Sequence, residues 1–220
     1  MNDPLALTVS VLALAVSTVT AWLTLFRRGT VQMTQPTVIF FGPDMPRSRQ
    51  RNPKSKIYLR TLLFATSKRG RIIESMHVAL TRSETHQNFN IWVHGETGKL
   101  VRGSGLFVGD TGVSANHHFL APEDVHFQWL AGHYHLSVHA KLLGDKAPKV
   151  LFTQVLEITR DLAVQLEQPG AGLYFDWGPD SARYLPHIDE RPPSPDPEQF
   201  FEALGLTERS SGAPSAPVEQ

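Results

Sequence analysis

Ten histidines and no cysteine stand among the 220 residues. His133, His135 and His139 fall in the run WLAGHYHLSVHAKLL, residues 129–143, where a period of two puts them on one strand face with Ser137 and Lys141. His117 and His118 lie on a second expected strand, Val113 to Leu120. Two imidazoles at i and i+2 on a strand can hold a zinc ion if a third ligand faces them. No carboxylate completes such a set at a telling spacing, and the adjacent His117 and His118 must point to opposite faces. The five histidines are metal candidates by residue type alone. The expectation is that they are polar positions on a half-buried sheet, with no metal and no cofactor.

Gly103-Ser104-Gly105-Leu106-Phe107-Val108, followed by Gly112-Val113-Ser114-Ala115-Asn116-His117-His118, resembles the N-terminal barrel of trypsin-like proteases. That resemblance would make His118 the catalytic histidine. The mechanism also needs a serine in a glycine-rich turn that supplies the oxyanion hole. The serines after His118 are Ser137, Ser181, Ser194, Ser210, Ser211 and Ser215, and none stands in such a turn. No complete catalytic constellation is present, so the chain is read as non-enzymatic.

The elements that must position these residues are strands. Val31 to Phe41 is a β-rich run in which Pro36 demands an edge or a bulge. Further strands are expected at Ile57 to Ala65, Ile72 to Leu80, Asn88 to Val93, Leu106 to Val108, Val113 to Leu120, Tyr134 to Leu143 and Val150 to Thr159. Leu173 to Trp177 reads as a last strand or flap. Many short strands with turn residues between them indicate an all-β sandwich or barrel. The Leu-x-Gly-x-Tyr opening of the 129–143 run, followed by a short hairpin and a final strand, resembles the end of immunoglobulin-like β-sandwiches. The resemblance implies that Tyr134 is a corner tyrosine whose hydroxyl bonds back to the preceding loop. It implies a fold and no function.

Ahead of the sandwich, residues 5–26 form an uncharged apolar run long enough to cross a hydrocarbon core as one helix. Its hydroxyls can bond back to helix carbonyls, and Trp22 sits where an interfacial aromatic belongs. A signal peptide would carry a basic N-terminal region; here the chain starts Met-Asn-Asp-Pro and the basic pair Arg27-Arg28 follows the run. The positive-inside rule then places the N-terminus outside and the C-terminal domain in the cytoplasm. Ala13, Ser17 and Ala21 form a small-residue stripe suited to a homodimer contact.

The net charge of zero hides an asymmetry. Residues 1–82 carry 12 basic and 3 acidic side chains, and residues 83–220 carry 9 and 18. Arg27, Arg28, Arg47, Arg49, Arg51, Lys54 and Lys56 are read as membrane-proximal, drawn to anionic lipid headgroups. No motif points to nucleic acid. After about residue 182 the composition turns proline-rich, with a short helix expected over 197–204 and a role in binding a protein partner. The layout is an anchor over 1–28, a β-sandwich over 29–182 and a largely disordered tail over 183–220. The expected function is a binding or scaffolding module; an activity at the histidine-rich face and an exported sandwich are the alternatives.

Overall fold

A computed structural model describes residues 4–44, 54–95, 100–103, 105–122, 127–168 and 170–190. The apolar run forms helix α1 (Pro4–Ala21), and Trp22–Phe26 continues it as a wider π-helical turn. Thr8, Ser10, Thr18 and Thr20 each donate to the carbonyl four residues back, at 2.7–2.8 Å. Every hydroxyl so used leaves less polar surface on the helix exterior. The helix is long and apolar enough to cross a membrane, a test that a signal sequence near the N-terminus also passes.

Thirteen strands follow among the described residues: β1 (Val31–Met33), β2 (Val38–Pro43), β3 (Ser55–Ala65), β4 (Arg71–Arg82), β5 (Thr85–Phe89), β6 (Ile91–Gly95), β7 (Val101–Arg102), β8 (Leu106–Val108), β9 (Val113–Leu120), β10 (Gly132–Leu142), β11 (Lys149–Ile158), β12 (Ala171–Gly178) and β13 (Arg183–Glu190). Helix α2 (Arg160–Leu166) lies between β11 and β12. One sheet runs β13-β12-β2-β3-β9-β6-β7, with β1 also on β3; the other runs β11-β10-β4-β5, with β8 also on β4. Every pairing is antiparallel. The fold is mainly β, two antiparallel sheets packed as a sandwich.

Alternation explains which faces meet. Along β10, Tyr134, Leu136, Val138, Ala140 and Leu142 are buried, while Ile57, Leu59 and Leu63 of β3 face them from the other sheet's strands. Phe41, Phe89, Phe119 and Phe175 complete the core. The Tyr134 hydroxyl donates to the Leu130 carbonyl at 2.7 Å and pins the loop before β10. Pro36 breaks the edge. Met33 pairs with Leu63 and Val38 with Arg60, so four residues bulge opposite two. The flanking amides of Thr34 and Thr37 still reach the Leu62 and Arg60 carbonyls.

Three expectations need correction. The run 88–93 is not one strand: Phe89 pairs with Val78 in one sheet and Trp92 with Phe119 in the other, the chain crossing between sheets at Asn90. Both aromatics are buried, which a continuous strand with its odd spacing could not achieve on one face. Helix α2 was not anticipated, although Thr159 caps it by accepting from the Leu162 amide at 3.4 Å. The sandwich also runs past residue 182, because β13 pairs with β12 along its whole length from Arg183 to Glu190. Residues 191–220, including the short helix expected over 197–204, lie outside the described residues.

Candidate binding surface

The five histidine candidates go to three separate places. On β9 the odd residues Ala115, His117 and Phe119 face inward and the even ones outward. His117 is 0% exposed. Its Nδ1 accepts from the Trp92 indole N–H at 3.2 Å, so its proton resides on Nε2, which has no partner among the described residues. Burial, then His94 and His118, push its pKa down to about 3. His118 points outward against Tyr58, ring centroids 4.9 Å apart. Burial and then Lys56 lower its pKa to about 4, with Asp44 opposing.

His133, His135 and His139 lie on the outer face of the other sheet. His139 stacks on His77 of β4, its register partner, at 4.7 Å and 4°. Burial lowers both pKa values; the neighbouring His139 adds to the effect on His77, and His86 to that on His139. The sandwich core therefore separates the β9 histidines from the β10 histidines, and the sequence-based grouping does not assemble. No group of three or more His, Asp or Glu suited to a metal ion occurs among the described residues.

What the register does assemble is a row across the outer face of the larger sheet. His187 pairs with Tyr174, Tyr174 with Phe40, Phe40 with Tyr58, and Tyr58 with His118. Ring centroids are 5.4 Å apart for His187 and Tyr174, and 4.8 Å for Tyr174 and Phe40. Phe40 lies flat because Gly172 and Gly42 flank it; a Cβ at Gly172 would come within 2.2 Å of the Phe40 ring. The Lys56 ammonium sits 5.7 Å above the Phe40 ring and 3.0 Å from Asp44. Polar groups edge the row: the Tyr58 hydroxyl donates to Asn116 Oδ1 at 3.0 Å, and His187 Nδ1 lies 3.3 Å from Asp176 Oδ2. Such a surface offers stacking area with hydrogen-bonding tips. Each aromatic was visible in the sequence; the register that aligns them was not.

The basic residues also divide. Arg27 and Arg28 lie at the end of the π-helical turn, and Gly29 packs directly on Ser67 of the β3–β4 turn. Lys56 pairs with Leu120 at the opposite end of β3, nine residues from Ala65, or about 30 Å along the strand. Its side chain is taken up by Asp44 and Phe40, so Lys56 lies at the end of β3 away from the helix and not beside Arg28. β2 carries the chain away from the helix before the basic loop begins. Lys54 precedes β3 at that same far end; Arg47, Arg49 and Arg51 lie outside the described residues.

No protein-family model matches the chain, and no curated protein matches it. Among solved structures, the chain is similar to the CooA pilin subunit from enterotoxigenic Escherichia coli, at 10% sequence identity and a TM-score of 0.27. The match covers 56% of this chain and 99% of the pilin chain. A superposition that loose carries no argument about fold or function, so the reading rests on the geometry above.

Proposed function

We propose that the chain is a single-pass membrane protein presenting an immunoglobulin-type β-sandwich as a non-enzymatic binding or scaffolding module on the cytoplasmic face. The observation that carries this reading is the junction. An apolar helix ends in Arg27-Arg28, and from Gly29 onward the chain is held to the sheet, with Thr30 and Thr66 exchanging backbone and side-chain hydrogen bonds at 2.9–3.3 Å. The arginine pair on that flank favours retention of the domain in the cytoplasm. The strand orders β2-β3-β9-β6 and β11-β10-β4-β5 support the immunoglobulin reading, since they match the A-B-E-D and G-F-C-C′ orders of that fold. Tyr134, bonded to Leu130 ahead of β10, stands where the corner tyrosine stands. The row from His187 to His118 is the binding face of this reading.

An exported sandwich is the second reading. It is favoured by the position of α1 at the very N-terminus, where a signal sequence would lie. Reporters fused after Gln220 separate the two. Activity confined to a reporter that works only in the cytoplasm is expected; activity confined to one that works only after export overturns the cytoplasmic placement. Tyr58→Ser with Tyr174→Ser is then expected to abolish capture of a partner by the intact protein from solubilised membranes while leaving its melting transition cooperative. Undiminished capture would remove the aromatic row from the reading.

A further inference from the structure

The junction between helix and sandwich leaves the domain almost no freedom to leave the bilayer. Only Arg27 and Arg28 separate the π-helical turn from Gly29. Gly29 is fixed: its carbonyl accepts from Arg71 Nη1 at 2.9 Å, and a Cβ there would meet Ser67 at 2.7 Å. Two extended residues span about 7 Å. The headgroup layer on each side of a bilayer is about 5–8 Å deep. The end of the sandwich at which the chain enters must therefore sit in or against that layer.

That end carries the matching chemistry. Phe107, Ile72 and Leu143 are contiguous on the outer face of the smaller sheet: Phe107 pairs with Ile72, and the Leu143 amide bonds to the Ile72 carbonyl at 2.9 Å. They are 59%, 37% and 58% exposed, a concentration of large apolar side chains left open to solvent. Arg28 and Arg69 line the same groove. Neither guanidinium has an ion pair or hydrogen bond among the described residues. The third arginine of the groove, Arg71, is spent on structure: it donates to Gly29, to Leu143 and to Asp145 Oδ1. Asp145 is neutralised in turn by Arg71 at 2.8 Å and Lys149 at 2.9 Å. Two unpaired arginines thus stand beside an apolar row.

We infer that this groove is a docking surface for anionic phospholipid, with Arg28 and Arg69 on the phosphate and Phe107 and Leu143 against the glycerol and upper acyl region. The inference rests on α1 spanning the membrane, and it moves the lipid contact from the 47–56 segment to the opposite end of the domain. Basic residues at an anionic surface each strengthen contact about fivefold. Lys68, in the same turn, lies 3.6 Å from Asp110, whose carboxylate offsets its charge.

The absence of cysteine makes the test direct. The full chain carrying Leu143→Cys, or Glu84→Cys in the turn at the far end, is spin-labelled and reconstituted into phosphatidylcholine vesicles with and without phosphatidylglycerol. Relaxation by oxygen is compared with relaxation by an aqueous nickel chelate, and membrane integration is checked by carbonate extraction. The expected result is a label at 143 shielded from the aqueous agent, more so with phosphatidylglycerol, and a label at 84 exposed in both. Arg69→Gln should lower the shielded-to-exposed ratio at 143 about fivefold. A carbonate-resistant chain whose two labels behave alike overturns the docking surface while leaving the span intact. Equal shielding in both vesicle types overturns the anionic preference. Release by carbonate overturns the span and the docking surface together.

Discussion

His117→Asn should flatten the acid limb of the stability curve. In the folded chain the imidazole is neutral, fully buried and held near a pKa of about 3, against about 6.5 in an unfolded chain. The folded pKa is depressed for a base, so the unfolded state binds the extra proton as pH falls below about 6.5, and stability drops with it. The slope is about 1.4 kcal/mol per pH unit for one proton. Between pH 7.5 and pH 5 the loss is about 2 kcal/mol, because pH 5 lies far enough above the folded value that nearly all of the unfolded-state titration is felt. Asparagine can still accept from the Trp92 indole through Oδ1, so the 3.2 Å bond has a replacement and the titration does not. The assay is urea unfolding of the full chain in a non-ionic detergent, followed by tryptophan fluorescence at several pH values. The wild type minus variant difference should change by about 2 kcal/mol over that range. Parallel curves for the two proteins would refute the assignment of His117 as a buried neutral base.

Other outcomes follow from single contacts. Tyr134→Phe removes the hydroxyl that donates to Leu130 but keeps the ring against Phe41 and Trp129, and should cost about 1 kcal/mol, seen as a melting point lower by several degrees. Gly172→Ala puts a methyl group into the Phe40 ring and should destabilise the fold by about 1–3 kcal/mol; Gly172→Ala with Phe40→Leu should recover part of that loss in the same melt. Arg71→Met breaks the bond to Gly29 and the pair with Asp145, and should cost about 1–3 kcal/mol in urea unfolding. Arg71 and then Lys149 hold the Asp145 carboxylate below the usual range, a contribution present above the unfolded pKa and lost as pH falls through the folded value. The wild type minus Asp145→Asn difference should therefore shrink below about pH 4.

The apolar helix, the β class and most strand positions were legible in the residues themselves. Helix length, charge flanks and strand alternation are local properties, repeated every few residues and independent of what the segment later touches. The parity of β9 alone required that His117 and His118 face opposite ways, and the Leu-x-Gly-x-Tyr run pointed to the bond that Tyr134 makes with Leu130. Register and sheet membership are long-range. Nothing in the order of residues shows that β9 and β10 enter different sheets, which places the core between their histidines. Nor does it show that positions 187, 174, 40, 58 and 118 come into line across five strands. The crossing at Asn90 and the pairing of β13 belong to the same category, because each is decided by what the partner strand buries. The basic residues make the point most plainly. Lys56 is 28 positions after Arg28 in the chain and was read as its neighbour at the membrane. The β1 and β2 segments, laid end to end along β3, carry the chain to the far end, while Arg69, more distant in sequence, returns beside Arg28 through the β3–β4 turn.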